Sequence, residues 1–278
     1  MATLIQILQH ILETKDLALP NETKRVFLKE ALQAYVLEYL YNHSTYRRLN
    51  FYGGTCLHVV YGLNRLSEDL DLDNSAGVDL SRLREDLLGF FQKTVGYPEA
   101  GASIQQRVAG ILRITLKFPI LNMLGLSASS NEALHLKVEV SSHRQIAVIK
   151  QTPVFYHGRS FVPAHFSLET MMAGKMLACL ERNFQRGKEG ALIKGRDFYD
   201  LLWFMQMQVR PLEEKLSKDG KQSYTTRTAM LVLKDKVESI KGKDLSADLM
   251  PLFESAVFVQ AWIEAFHANF KEYLQDYL

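Results

Sequence analysis

Three aspartates at every second position, Asp69, Asp71 and Asp73, stand out in the run Ser67-Glu68-Asp69-Leu70-Asp71-Leu72-Asp73. Their alternation with Leu70 and Leu72 predicts a strand with one acidic face, because successive strand side chains point to opposite sides. Neighbouring carboxylates repel, and a hard divalent cation relieves the repulsion. Mg²⁺ takes oxygen donors and is commonly held by one or two carboxylates together with substrate phosphates. Upstream, Gly53-Gly54-Thr55 follows a predicted strand, Leu49 to Tyr52, and opens a predicted helix, Thr55 to Tyr61. Glycines at a strand-to-helix turn let backbone N–H groups approach a triphosphate, and the helix N-terminus favours its negative charge. Metal-bound acids beside a phosphate-binding turn suit nucleotidyl transfer, in which the metal activates the attacking oxygen and neutralises the leaving pyrophosphate.

The acidic run has two other readings. An EF-hand is excluded, because Asn74 stands where the loop needs glycine and Leu80 where it needs its bidentate Glu. A solvated edge strand, with acids that blunt aggregation, fits the alternation equally well. Only the combination with Gly53-Gly54 favours catalysis over it.

The elements that must position these residues read as follows. Residues 1–45 form a helical preface, with Asn21 or Thr23 as cap and Val26, Phe27, Ala31, Ala34, Tyr35, Leu37 and Leu40 at helical spacing. Residues 46–160 form an α/β core with a mixed sheet. Beyond the acidic strand it holds a helix over Asp79–Val95 and strands over Ile104–Val108, Leu112–Phe118, Leu134–Val140 and Ile146–Val154. Residues 161–278 are helical and are expected to close over the cleft. Glu139, between Val138 and Val140, faces away from the apolar side of its strand, either as a third site acid or as a solvent-facing partner of Lys137 or Arg144. Lys175 lies in a helix of apolar and small residues, where it is costly to bury unless it meets an anion or snorkels outward. Asp197 follows it by 22 residues and also suits a first-turn acid on a helix dipole.

The run Gly53-Gly54-Thr55 … Tyr61-Gly62-Leu63-Asn64-Arg65-Leu66-Ser67-Glu68-Asp69-Leu70-Asp71-Leu72 resembles the signature of the AbiEii/AbiGii toxin-like nucleotidyltransferases. That family includes the mycobacterial MenT toxins and belongs to the DNA polymerase β-like superfamily. The resemblance covers about residues 45–205 and includes a Lys-x-Glu strand at Lys137-Val138-Glu139 and the helix start Arg196-Asp197-Phe198-Tyr199-Asp200. Gly-Gly-Thr stands where the wider superfamily commonly has Gly-Ser. The resemblance implies an α/β (α+β) polymerase β-like sheet with flanking helices and a helical C-terminal region. It also implies transfer of a nucleoside monophosphate from an NTP to an RNA acceptor, the tRNA 3′ end, by the toxin of a toxin–antitoxin or phage-defence pair. The implied metal ligands, for Mg²⁺ or Mn²⁺, are Asp69, Asp71 and Glu139, with Glu139 also the general base. The implied nucleotide ligands are Gly53, Gly54, Thr55, Arg65, Ser67 and Lys175, and Asp197 completes the catalytic set. A cognate antitoxin is the implied protein partner.

Composition is compatible with this reading. The chain has 278 residues, 47% hydrophobic and 23% charged, with a net charge of +2. Residues 182–243 carry fourteen Lys or Arg against eight Asp or Glu, which suits a polyanionic partner or a set of solvated helix faces. No stretch approaches the ~18 unbroken apolar residues of a membrane helix. The N-terminus lacks the basic start and cleavage site of a secretory signal, and Cys56 and Cys179 read as buried free thiols, so the expected compartment is the cytoplasm. Two rival functions are nucleotidylation or phosphorylation of a protein, including self-phosphorylation at Ser67, and a non-catalytic nucleotide-binding module.

Overall fold

A computed structural model describes residues 2–108, 110–182 and 193–278 of the chain. It divides into two compact units, one of Met1–Arg144 with Lys150–His165 and one of Gln145–Ile149 with Phe166–Leu278. The first unit contains helices α1 (Leu4–Glu13), α2 (Asn21–Asn42), α3 (Gly53–Tyr61) and α4 (Leu83–Gly89). Its strands begin with β1 (Asn50–Tyr52), β2 (Leu70–Asp73), β3 (Gly101–Val108), β4 (Ile111–Phe118) and β5 (Leu134–Ser141). They continue with β6 (Ile149–Gln151), β7 (Val154–Tyr156), β8 (Arg159–Phe161) and β9 (Ala164–Phe166), and the first residue of β6 and the last of β9 are counted with the second unit.

Seven strands form one mixed sheet in the order β3-β4-β5-β2-β1-β9-β6, and β7 and β8 form a separate hairpin. β2 runs parallel to β5 and antiparallel to β1, and β4 runs antiparallel to β5. The alternation of β2 and β5 does what a period of two requires. Leu70, Leu72, Leu136 and Val138 are fully buried on one face, and α2 packs against β5 with Leu28, Leu32, Val36, Leu37 and Leu40 also fully buried. Each such side chain contributes about 1.5–3 kcal/mol over its exposed state. The other face is left to the carboxylates.

Several sequence expectations shift in register. α2 has Pro20 at its N-cap with no side-chain cap, and the expected caps Asn21 and Thr23 lie inside the first turn. The helix expected from Asp79 starts at Leu83, because Asp79 Oδ1 accepts the Ser81 N–H at 2.9 Å in a local turn that competes with helix. The expected strand Ile146–Val154 is split into β6 and β7. Pro153, which has no N–H to offer a ladder, lies at the break.

The second unit is helical beyond its strand ends: α5 (Leu168–Glu181), α6 (Gly195–Gln206), α7 (Glu213–Lys218), α8 (Thr226–Glu238), α9 (Gly242–Leu249) and α10 (Ala256–Leu274). Ser167, Thr225 and Ser255 cap α5, α8 and α10 with their hydroxyls, as helix N-termini prefer. Phe198, Leu201, Phe204, Leu233 and Phe266 build its core. No described helix is long and apolar enough to cross a membrane. Cys56 and Cys179 are buried free thiols, as expected.

Candidate active site

Sheet register sets the acids in a row. Asp71 on β2 is the cross-strand neighbour of Tyr52 on β1 and of Glu139 on β5, and Glu139 is the neighbour of Arg113 on β4. Neighbours so paired share a face. Arg113 Nε donates to Glu139 Oε1 at 2.6 Å, a contact that raises the guanidinium above its ordinary value. Asp69 immediately precedes β2, with Lys137 Nζ 4.0 Å from its Oδ2. Desolvation pushes Asp69 above the usual carboxylate value. Lys137 and Lys29 oppose the rise, while Glu68 and Glu139 add to it. Asp73 has a different role. It is almost fully buried, and its Oδ2 accepts from Asn50 Nδ2 at 3.0 Å and from the Ser75 N–H at 3.2 Å, so it holds the end of the strand.

The two glycines are required by this geometry. Gly53 has φ +80°, and a Cβ there would fall on Asp71 Oδ2 and within 2.9 Å of its Cγ. A Cβ at Gly54 would come within 2.6 Å of Arg65 Nη2 and 3.1 Å of Ser67 Oγ. The turn thus touches an acid of β2 on one side and Arg65 and Ser67 on the other. Tyr52, the N-cap of α3, makes no side-chain cap, so the first-turn N–H groups keep their capacity for an anion.

Thr55 and Ser67 are buried and share a hydrogen bond of 2.8 Å between their hydroxyls. Thr55 Oγ1 also donates to the Asp69 carbonyl, so this side chain ties the turn to the entry of the acidic strand. Arg65 is buried too, and its Nη1 donates to the Leu66 carbonyl at 3.0 Å. Glu68 pairs with Lys29 of α2 at 2.8 Å. Next to Glu68 lies a cavity of about 670 Å³, lined among others by Arg25, Lys29, Lys117, Glu132 and His135.

In the second unit, Lys175 Nζ lies 2.7 Å from Asp197 Oδ1 and 2.7 Å from Asp200 Oδ2, and Arg182 Nη1 reaches Asp197 Oδ2 at 3.2 Å. The anions that make a lysine tolerable in this helix include these two aspartates. Burial alone would raise Asp197, but Lys175 and Arg182 outweigh it and hold it at about 2. Asp200 is fully buried.

Sequence reasoning missed Arg113, Glu30 and Gln33. Arg113 had a signal, since it is a cation on the alternate face of an apolar strand. Glu30 and Gln33 had none, because their partner, the Ser67 peptide, is distant in sequence. Among the described residues, no three or more His, Cys, Asp or Glu side chains are grouped so as to hold a metal ion. The pair Asp69 and Asp71 nonetheless fits Mg²⁺ by donor chemistry, since two carboxylates leave the remaining positions to phosphates and water.

Comparison with known proteins agrees with the fold. A crystal structure of a candidate nucleotidyltransferase from H. pylori shares the fold, with a TM-score of 0.50 and 18% identity over 88% of this chain and 92% of that one. A search of curated proteins returned no match. Residues 36–278 match the family described as the nucleotidyl transferase AbiEii toxin of type IV toxin–antitoxin systems, and the chain belongs to that family of nucleotidyltransferases.

Proposed function

We propose that this nucleotidyltransferase moves a nucleoside monophosphate from an NTP to an RNA acceptor, the 3′ end of tRNA. The observation that carries the reading is the contact of the Gly53 turn with Asp71, in register with Glu139. It sets open backbone N–H groups against the acids that a phosphate-bound cation needs. Gly53, Gly54 and Ser67 hold the triphosphate, and Arg65 braces the turn behind Gly54. Asp69 and Asp71 would hold Mg²⁺ or Mn²⁺, with Glu139, paired to Arg113, beside them and not as the third ligand the resemblance implies, and the ion would neutralise charge on the triphosphate and the departing pyrophosphate. Glu139 takes the proton of the attacking hydroxyl. Its present partner, Arg113, is a cation for which an incoming phosphate competes. The family resemblance implies roles for Lys175 and Asp197 too, but these two pair with each other inside the second unit, where they act on the fold.

The cavity beside Glu68 supports an acceptor site. Lys117 and His135 are cross-strand neighbours on its wall, and Lys29 contributes from α2. The basic stretch 182–243 supplies further phosphate contacts through its lysines and arginines. An antitoxin protein is the regulatory partner that membership of the family suggests.

The test is incubation with each α-³²P-labelled NTP, Mg²⁺ and total tRNA, comparing the native protein with Asp69→Asn. Label on tRNA from the native protein alone is the expected result. Label on the protein itself would establish a protein acceptor instead. No label with any NTP would sink the transferase reading in favour of a nucleotide-binding module.

A further inference from the structure

Two side chains of α2 bracket one peptide unit at the entrance to the acidic strand. Glu30 Oε1 accepts the Ser67 N–H at 3.3 Å, and Gln33 Nε2 donates to the Ser67 carbonyl at 2.9 Å. Glu30 is 3% exposed and Gln33 is fully buried. From Ser67 the fixed geometry passes through Thr55 to the backbone of Asp69, as described above. The same Glu30 oxygen lies 3.3 Å from His58 Nε2 on α3.

His58 Nδ1 meets the Leu63 carbonyl at 2.8 Å. A carbonyl only accepts, so Nδ1 must carry a hydrogen, and a neutral imidazole then presents a bare lone pair at Nε2. A carboxylate opposite that lone pair would set two acceptors against each other in a buried place. One proton must therefore lie between the two side chains. Either a carboxylic acid at Glu30 donates to Nε2, or an imidazolium donates to a Glu30 carboxylate. Burial pushes Glu30 up to about 8 and pushes His58 below its ordinary value, which favours the first arrangement. The other charged or titratable groups facing the pair are Lys15, Arg65, Tyr156 and His157.

We propose that Glu30 and His58 are positioning residues for nucleotidyl transfer: the proton they share, together with Gln33, locks the Ser67 peptide and so aligns Ser67 and Asp69 with the Gly53-Gly54 turn. This inference rests on the reading that the turn and Ser67 hold the triphosphate. The two side chains touch neither substrate nor metal in that reading. They act through Ser67.

Glu30→Gln separates this role from simple bulk. If the amide oxygen of Gln accepts the Ser67 N–H, it faces the Nε2 lone pair unless His58 is protonated. If the amide nitrogen takes that place, two donors meet. The variant therefore works only with an imidazolium at His58. Its kcat at pH 7.5 is expected to fall about tenfold, the effect of one lost hydrogen bond, and to recover as the pH drops below the ordinary imidazole range. The native protein is expected to keep its rate through neutrality and lose it above about pH 8. A Glu30→Gln profile superimposable on the native one from pH 5.5 to 9, with equal kcat, would overturn the proposal.

Hydrogen exchange of the native chain gives a readout that needs neither the variant nor a nucleotide. Amides of the peptide spanning Leu63–Asp69 should be protected at pH 7 and lose protection above about pH 8, beyond the intrinsic rise in exchange rate. Protection unchanged to pH 9, or absent at pH 7, would also overturn it. Should the native protein label no acceptor while this exchange follows pH as stated, the clamp stands and the transferase reading falls.

Discussion

In the second unit, Asp197 and Asp200 both hold Lys175 at 2.7 Å, and Arg182 adds a second cation to Asp197. In the first unit, Asp69 has Lys137 at 4.0 Å, and Glu139 takes Arg113 at 2.6 Å. The effects on titration run in opposite directions. Asp197 sits at about 2 although it is nearly fully buried, whereas Asp69 is raised although its side chain is 36% exposed. Acids with their cations built in are saturated, and their pairing is used within the fold. An acid that is desolvated with its cation 4.0 Å away, as Asp69 is, is costly to keep charged, and a cation carried in on the triphosphate offsets that cost.

The sharpest way to break this contrast is to neutralise one acid from each cluster. Asp71→Asn should lower transfer by about 10³-fold or more, since metal-mediated charge stabilisation is worth several kcal/mol. Its thermal midpoint should change less than that of Asp200→Asn, because Asp71 is only partly buried whereas Asp200 is fully buried. Asp200→Asn should show the reverse emphasis, with a clear loss of stability from a fully buried site. If Asp71→Asn unfolds the protein and Asp200→Asn does not, the two clusters have been assigned the wrong way round.

A second test removes the shared cation. Lys175→Ala leaves two buried carboxylates short of their common partner, and breaking a buried ion pair in this way costs about 3–5 kcal/mol. Urea denaturation measures it. Adding Asp197→Asn and Asp200→Asn to Lys175→Met should recover most of the loss, because no uncompensated charge is then buried. A triple variant as unstable as Lys175→Ala would show that packing, and not charge, dominates at this site.

How far the sequence discloses these arrangements depends on the span over which each is encoded. The acidic face of β2 and the glycine turn lie within about twenty consecutive residues, so alternation and turn chemistry expose them directly. The fold class follows from the same periodicities. The three-residue strands β6 to β9 are too short to show a period, and β8 and β9 escaped notice. The Lys175 helix does announce the need for an anion, but only the structure shows that Asp197 and Asp200 provide it. Glu30 escaped for a different reason. Lys29-Glu30 reads as an ordinary polar step on a helix surface, yet α2 is buried on several sides, and Glu30 meets Ser67 across 37 residues of sequence. Burial of that kind is decided by tertiary packing, which no local pattern reports.

The saturated cluster should also be visible in acid. A carboxyl held at about 2 in the fold, against about 3.9 unfolded, stabilises the native state fully above the unfolded value and loses that contribution as the pH falls toward 2. The sign follows from proton counting: between these values the unfolded chain binds more protons, so stability rises with pH. About 2 kcal/mol should disappear between pH 4 and pH 2 in denaturation series. Lys175→Ala should flatten this part of the curve, since Asp197 then lacks its main cation. An identical acid limb in both proteins would mean that other carboxyls control it.

Distance alone does not separate the clusters, and a surface pair supplies the control. Lys218 Nζ and Glu214 Oε1 on α7 are also 2.7 Å apart, but their side chains are 62% and 54% exposed. Water screens the attraction, and ordering two long side chains offsets much of what is left. Lys218→Ala should therefore change stability by no more than about 0.5 kcal/mol, against several for Lys175→Ala at the same N···O distance. Repeating both measurements at 1 M salt sharpens the point, because a Debye length of about 3 Å should erase the surface effect and leave the buried one almost intact. If the two substitutions cost the same, burial is not what distinguishes Lys175. The cluster would then have to be explained by the helix packing around it.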